Sequence, residues 1–224
     1  MHLLWRVFGR HSPWPRRFLG WCARALGVRA RIIGERVEGA ALFASNHLSW
    51  LDILLVGGAT GASFVSKDSV RNWPVAGRLA TMVGTIYITA EDRRAAGAQA
   101  ERIREALERG TSVAFFPEGK IENGAFLPFR PALFGAVTAS ERKIPVQPVA
   151  LDFGDNAKRL VWRKGTHAGW HAWDLAGDPG VKDVTIQLLD PVFAGPDDHR
   201  KELAYKSEIS VARALGREPA SVPA

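Results

Sequence analysis

Ala40-Ala41-Leu42-Phe43-Ala44-Ser45-Asn46-His47-Leu48-Ser49-Trp50-Leu51-Asp52 is the stretch whose reading decides the fold. An apolar run too short for a buried helix ends in a polar cluster that carries an imidazole and a carboxylate. A strand that delivers such a pair to its carboxyl end is a common way for α/β enzymes to present acid–base groups. Residues five apart on an ideal helix lie about 140° from each other, because each residue turns about 100°. His47 and Asp52 therefore cannot share a helical face. They meet if His47 lies in the turn before the helix and Asp52 reaches back from its first turns. An ionised Asp that accepts from one ring nitrogen fixes the tautomer and leaves the other nitrogen free to take a proton. Taken alone, the pair reads better as a polar helix start capped by Ser45 or Asn46, with His47 merely exposed.

Outward from this stretch, apolar runs alternate with helical patterns. Strands are expected over residues 41–45, 62–66, 85–89, 112–116, 146–151, 159–162 and 184–189. Helices are expected to begin near Ser49, Pro74, Glu91 and Pro131, with a last one over 197–215. The helix from Glu91 to Arg109 has an acidic start, a basic end and Gly110 beyond it. Such alternation implies an α/β fold, a mostly parallel sheet covered by helices. Residues 162–178, rich in Gly, Trp and His, read as an irregular excursion. His167 and His171 would share a metal on a helix, but the glycines argue against a helix there and no third ligand is well spaced.

The charge is unevenly placed. Residues 1–36 hold eight arginines against Glu35 alone, which accounts for the whole net charge of +7. Those arginines are interleaved with Trp5, Phe8, Trp14, Phe18, Leu19 and Trp21, the pattern of a helix lying in a membrane interface. The expected organisation is an amphipathic helical N-terminal arm over 1–36, split by Pro13 and Pro15, a catalytic domain over 37–216 and a frayed tail over 217–224. No run approaches the ~20 apolar residues that span a bilayer, and no secretory signal is recognisable. Charge balance outside the arm disfavours a nucleic-acid groove. The single cysteine, Cys22, excludes an internal disulfide framework and suits a reducing compartment.

A second signal lies downstream, in Phe115-Phe116-Pro117-Glu118-Gly119-Lys120, followed by Leu127-Pro128-Phe129-Arg130. Together with Asn46-His47-Leu48-Ser49-Trp50-Leu51-Asp52 and Ile144-Pro145-Val146-Gln147-Pro148-Val149, it resembles the glycerolipid acyltransferase family, most closely its bacterial 1-acyl-glycerol-3-phosphate acyltransferases. The motifs stand in the family's order, and the resemblance runs from about Ile33 to Asp152. Members of that family often begin with a longer apolar segment, so Met1 need not be the natural start. The resemblance implies a membrane-associated O-acyltransferase in which His47, oriented by Asp52, deprotonates a lipid hydroxyl that attacks an acyl thioester, with no covalent acyl-enzyme. The acceptor implied is 1-acyl-glycerol 3-phosphate, giving phosphatidic acid. The alternatives are a lyso-ornithine lipid or glycerol 3-phosphate and, from another class, a non-catalytic lipid- or nucleic-acid-binding protein.

The resemblance places Glu118 and Gly119 in the acceptor-binding block and adds Lys67 and Arg130 as cations near the headgroup. Glu118 cannot bind phosphate and is expected to accept from a substrate hydroxyl or to hold a cation. The chain departs from the family twice: Ala90 stands where a phosphate-binding arginine is usual, and Lys120 where a small hydroxyl residue is usual. The expected compensation is a cation from Lys120 or Arg93. No cofactor is expected; the co-substrate is acyl carrier protein or coenzyme A carrying the acyl thioester. The implied partners are that thioester, a lysophospholipid acceptor and an anionic membrane surface, with the protein peripheral on the cytoplasmic face of the inner membrane.

Overall fold

A computed structural model describes residues 14–68, 85–88, 96–163, 165–195 and 198–221. Among them, seven strands form one sheet: β1 (Val28–Ile33), β2 (Leu42–Ser45), β3 (Ser63–Lys67), β4 (Ile86–Ile88), β5 (Val113–Phe115), β6 (Val146–Asp152) and β7 (Lys182–Leu188). Their order is β1-β7-β6-β2-β5-β3-β4, and every pairing is parallel except β6 with β7. The helices are α1 (Trp14–Ala25), α2 (Leu51–Thr60), α3 (Ala96–Glu108), α4 (Gly135–Thr138), α5 (Ala157–Leu160), α6 (Ala168–Gly177) and α7 (Arg200–Ala214).

The central strands are short and apolar on both faces because both faces are covered. Phe43, Ala114, Val149 and Leu151 point to a core shared with α2, Leu160 of α5 and Leu175 of α6. Leu42, Ala44, Val113, Phe115 and Ala150 point the other way, to Ile103, Leu107, Phe134, Leu203 and Val211. The result is three layers with the carboxyl ends of β2, β5 and β6 side by side.

The α1–α2 contact depends on glycine. A Cβ at Gly58 would stand 3.1 Å from the Gly20 nitrogen, and one at Gly57 would stand 2.9 Å from Phe64 Cε2 and collide with Leu19 Cδ1. Gly57→Ala is expected to cost about 1–3 kcal/mol, the usual range for overpacking, read as a lowered denaturation midpoint.

Several expectations shift. The arm expected over 1–36 gives up residues 28–33, which form β1, parallel to β7 at the sheet edge. The alternation of Val28, Ala30 and Ile32 with Arg29 and Arg31 is the signal for that strand. Arg36 also belongs to the domain, its Nε donating to the Thr60 carbonyl at 2.8 Å and its Nη2 to Ser112 Oγ at 2.9 Å. The strand expected at 159–162 is the short helix α5, since Gly154 at φ 48° ends β6 and turns the chain. The irregular excursion contains α6: His167 caps it, its Nδ1 accepting from Gly169 N at 3.1 Å, so the glycines fall at the helix ends. The tail is tied as far as Ser221, whose N and Oγ both donate to Glu208. The helix start at Pro74 lies outside the described residues, as does the first turn expected from Glu91.

Candidate active site

A short turn separates the end of β2 from the start of α2, and it sets the site. Asn46 does not cap the helix. Its Nδ2 donates to the Leu151 carbonyl at 3.0 Å and its Oδ1 accepts from Leu151 N at 2.8 Å, so its side chain continues the β2–β6 pairing beyond the strand. The chain then turns, and Asp52, in the first turn of α2, reaches back over it. Asp52 Oδ2 accepts from His47 Nδ1 at 2.8 Å, from Leu48 N at 2.6 Å and from Ser49 N at 2.8 Å. Asp52 thus ties down the turn that leads into its helix and grips the imidazole with one oxygen. Oδ1 is buried without a hydrogen-bond partner among the described residues.

With Asp52 accepting at Nδ1, the proton belongs on that nitrogen, and Nε2 has the lone pair. The ring lies flat on Phe116, centroids 4.0 Å apart and planes 7° from parallel. Its side chain is 18% exposed whereas that of Asp52 is fully buried. This combination suits a base at the mouth of a sheet: one nitrogen held in the interior, the other edge open.

Glu118 enters from the turn after β5. Its Oε1 accepts from His47 N at 3.2 Å, and its Oε2 is buried without a partner among the described residues. Burial pushes its carboxyl up to about 8, and the nearby Asp52 charge adds to that. Backbone donors at His47 and Leu127 and the Arg217 charge pull the other way. Gly119 follows at φ 73°, a conformation natural to glycine, and the Arg130 guanidinium lies against its α-carbon: a Cβ there would be 3.0 Å from Arg130 Nη1.

His47, Asp52, Glu118, Gly119 and Arg130 are therefore brought together. Lys120 is not placed as expected. Its Nζ is 2.8 Å from Glu122 Oε2, the side chain is 54% exposed, and a local ion pair already engages its charge. Lys67 ends β3, opposite Ile88 of β4, at the carboxyl edge of the sheet. Arg93 and Ala90 lie outside the described residues. His167 and His171 do not pair: His171 Nδ1 accepts from Trp50 Nε1 at 3.1 Å and its Nε2 donates to the Arg159 carbonyl at 2.9 Å. Asn46 and Phe116 stand inside the quoted motifs, but only the structure shows their bridging and stacking roles.

The chain matches the family described as Acyltransferase over residues 18–152. It is 33% identical to a lyso-ornithine lipid O-acyltransferase of Brucella abortus, over 92% of this chain and 86% of that one. It is 36% identical to one of Pseudomonas aeruginosa, over 87% and 76%. A 1-acyl-sn-glycerol-3-phosphate acyltransferase of Neisseria gonorrhoeae is 37% identical over 75% of this chain and 66% of its own. In fold it is similar to the crystal structure of the 1-acyl-sn-glycerophosphate acyltransferase PlsC from Thermotoga maritima, with a TM-score of 0.69 and 20% identity, over 90% of this chain and 78% of that one. The matched residues hold the His47–Asp52 turn, Glu118, Gly119 and all of β6, and on that ground this chain belongs to the Acyltransferase family.

Proposed function

We propose that this protein transfers a fatty acyl group from a thioester to the free hydroxyl of a lyso-lipid, with His47 as general base. The observation that carries the proposal is the His47 Nδ1–Asp52 Oδ2 contact at 2.8 Å beside a buried Glu118. Nε2 takes the hydroxyl proton as the oxygen attacks the thioester carbonyl. The tetrahedral intermediate then expels the thiolate, which takes the proton from the imidazolium, and Asp52 stabilises that cation throughout. A covalent acyl-enzyme is not needed. Cys22 lies on α1 and its thiol is pushed up by burial, the opposite of an activated nucleophile.

The acceptor proposed is a lyso-ornithine lipid. Lys120, which would have replaced the cation missing at position 90, is paired with Glu122, and the relatives matched along most of the chain carry that name. A second reading, 1-acyl-glycerol 3-phosphate, is favoured by the Neisseria relative and by Arg130 beside Gly119.

The membrane is met by the layer that carries α1. Leu19 and Ala23 are buried against α2, while Phe18 and Trp21 are 38% and 56% exposed among Arg17 and Arg24. On the same side of the sheet, Trp170 and Trp173 of α6 are 69% and 74% exposed. Among the described residues no helix is long and apolar enough to cross a membrane. Exposed indole rings beside arginine suit an anionic interface, at the cytoplasmic face of the inner membrane where acyl carrier protein and coenzyme A thioesters are found.

Purified protein on vesicles should release free thiol from acyl-coenzyme A or acyl carrier protein when a lyso-lipid is added. In a panel of lyso-ornithine lipid, lysophosphatidic acid and glycerol 3-phosphate, the first should give the highest kcat/KM. No thiol release with any of the three would remove the acyl-transfer reading.

A further inference from the structure

The strand order opens a crevice beside the turn that carries His47. From the end of β2 the chain runs toward β3 on one side, and from the end of β6 it runs toward β7 on the other. Strands whose continuations part in this way leave a gap at their carboxyl ends, where α/β folds bind ligands. Here the gap is a cavity of about 300 Å³. Asn46 and Leu48, the neighbours of His47, form one wall, and the end of β6 with α5 forms another. Three cations from separate segments border it: Lys158, Arg163 and Arg217. None of them is in an ion pair among the described residues. A single carboxylate, Asp152, faces the same space; its Oδ1 accepts from Gly154 N at 2.8 Å and its other oxygen has no partner among the described residues.

We infer that this crevice is the headgroup site for an amino-acid lipid, with Arg163, Lys158 and Arg217 receiving its carboxylate and Asp152 its ammonium. The inference rests on the acyl-transfer reading above and names the group that fixes the acceptor. A phosphate headgroup carries only negative charge, so Asp152 would repel it. A headgroup with both signs is complementary to three cations and one carboxylate. The position also fits the chemistry. An anion held between the neighbours of His47 and the Arg217 charge, whose field reaches Glu118, keeps a hydroxyl only a few bonds away within reach of Nε2. The specificity determinant is then Asp152, a residue outside the motifs that carry the resemblance.

Asp152→Asn tests this directly, because Asn retains the oxygen that accepts from Gly154 N. Initial rates of thiol release are compared for lyso-ornithine lipid and lysophosphatidic acid. The expected result is a roughly tenfold rise in KM for the first acceptor, with a fall for the second, of the size of one charge-assisted contact. Lys158→Ala with Arg163→Ala should raise the KM of both acceptors and leave the thioester KM unchanged. An unchanged acceptor ratio in Asp152→Asn overturns the inference. So does a change confined to the thioester KM, which would assign the cations to the donor's phosphates. Calorimetric titration of a short-chain lyso-ornithine lipid reads the crevice independently of turnover. Equal affinity for wild type and Asp152→Asn there sinks the headgroup site, whereas weaker binding to the variant in a protein that releases no thiol sinks acyl transfer alone.

Discussion

His47→Ala should lower kcat by about 10²–10⁴-fold, the usual worth of a positioned general base, while the protein melts close to the wild-type temperature. The expectation of an intact fold comes from the sharing of Asp52 Oδ2. When the imidazole is removed, that oxygen still accepts from Leu48 N and Ser49 N, so the turn between β2 and α2 remains tied down. The lost ring leaves a partly exposed gap over Phe116 rather than a buried cavity. Asp52→Ala differs, because it strips both backbone donors and the imidazole of one acceptor in a fully buried place. Unpaired buried donors cost about 1–3 kcal/mol each, so this variant should lose stability as well as rate. Asp52→Asn keeps an acceptor for all three donors but no charge for the imidazolium, and should lose rate with a smaller loss of stability. Measured by thiol release and thermal melting, the three variants separate catalysis from the anchoring of the turn. A His47→Ala protein that kept more than a tenth of the wild-type rate would leave no role for the base.

The parts of this arrangement that are local are legible in the sequence. His47 and Asp52 lie five residues apart, and the only way to join them is a turn followed by a helix, which is the geometry found. The central strands are readable because burial on both faces makes them continuous apolar runs. What escapes is set by distant partners or by chain ends. β1 alternates correctly, yet arginines at every second position resemble an amphipathic arm until β7 is seen beside it. The glycines around α6 argue against a helix, although Gly169 and Gly177 sit at its ends, where their cost is small. Lys120 looks available because its neighbour Glu122 is two residues away in a loop, and pattern alone does not say which way a loop lysine turns. The crevice cations come from α5, the loop after it and the chain end beyond α7, so no window of sequence holds them together. Glu118 falls correctly in the acceptor block, but its protonation is a property of burial, which the motif does not encode.

Glu118 gives the sharpest pH dependence expected of this protein. Its carboxyl titrates at about 8 in the folded chain against about 4.5 for an unburied group. Between those values the folded state holds a proton that the unfolded state has released, so stability falls as pH rises through that window and is fully present only below it. Each pH unit is worth about 1.4 kcal/mol, and the whole window on the order of 5 kcal/mol. Glu118→Gln removes the titration while retaining an acceptor for His47 N. The variant should therefore match wild type near pH 5 and exceed it by several kcal/mol near pH 8 in urea denaturation. Parallel stability curves for the two proteins would show that Glu118 is ionised in the fold. The same proton bears on catalysis. A protonated Glu118 presents a donor at Oε2, the oxygen without a partner among the described residues, next to the base. An amide supplies a donor at any pH, so the Gln variant should keep its rate above pH 8 where wild type declines. Glu118→Ala, which supplies none, should be slow throughout. Burial, with the Asp52 charge beside it, is what holds the carboxyl in its neutral form in the folded chain.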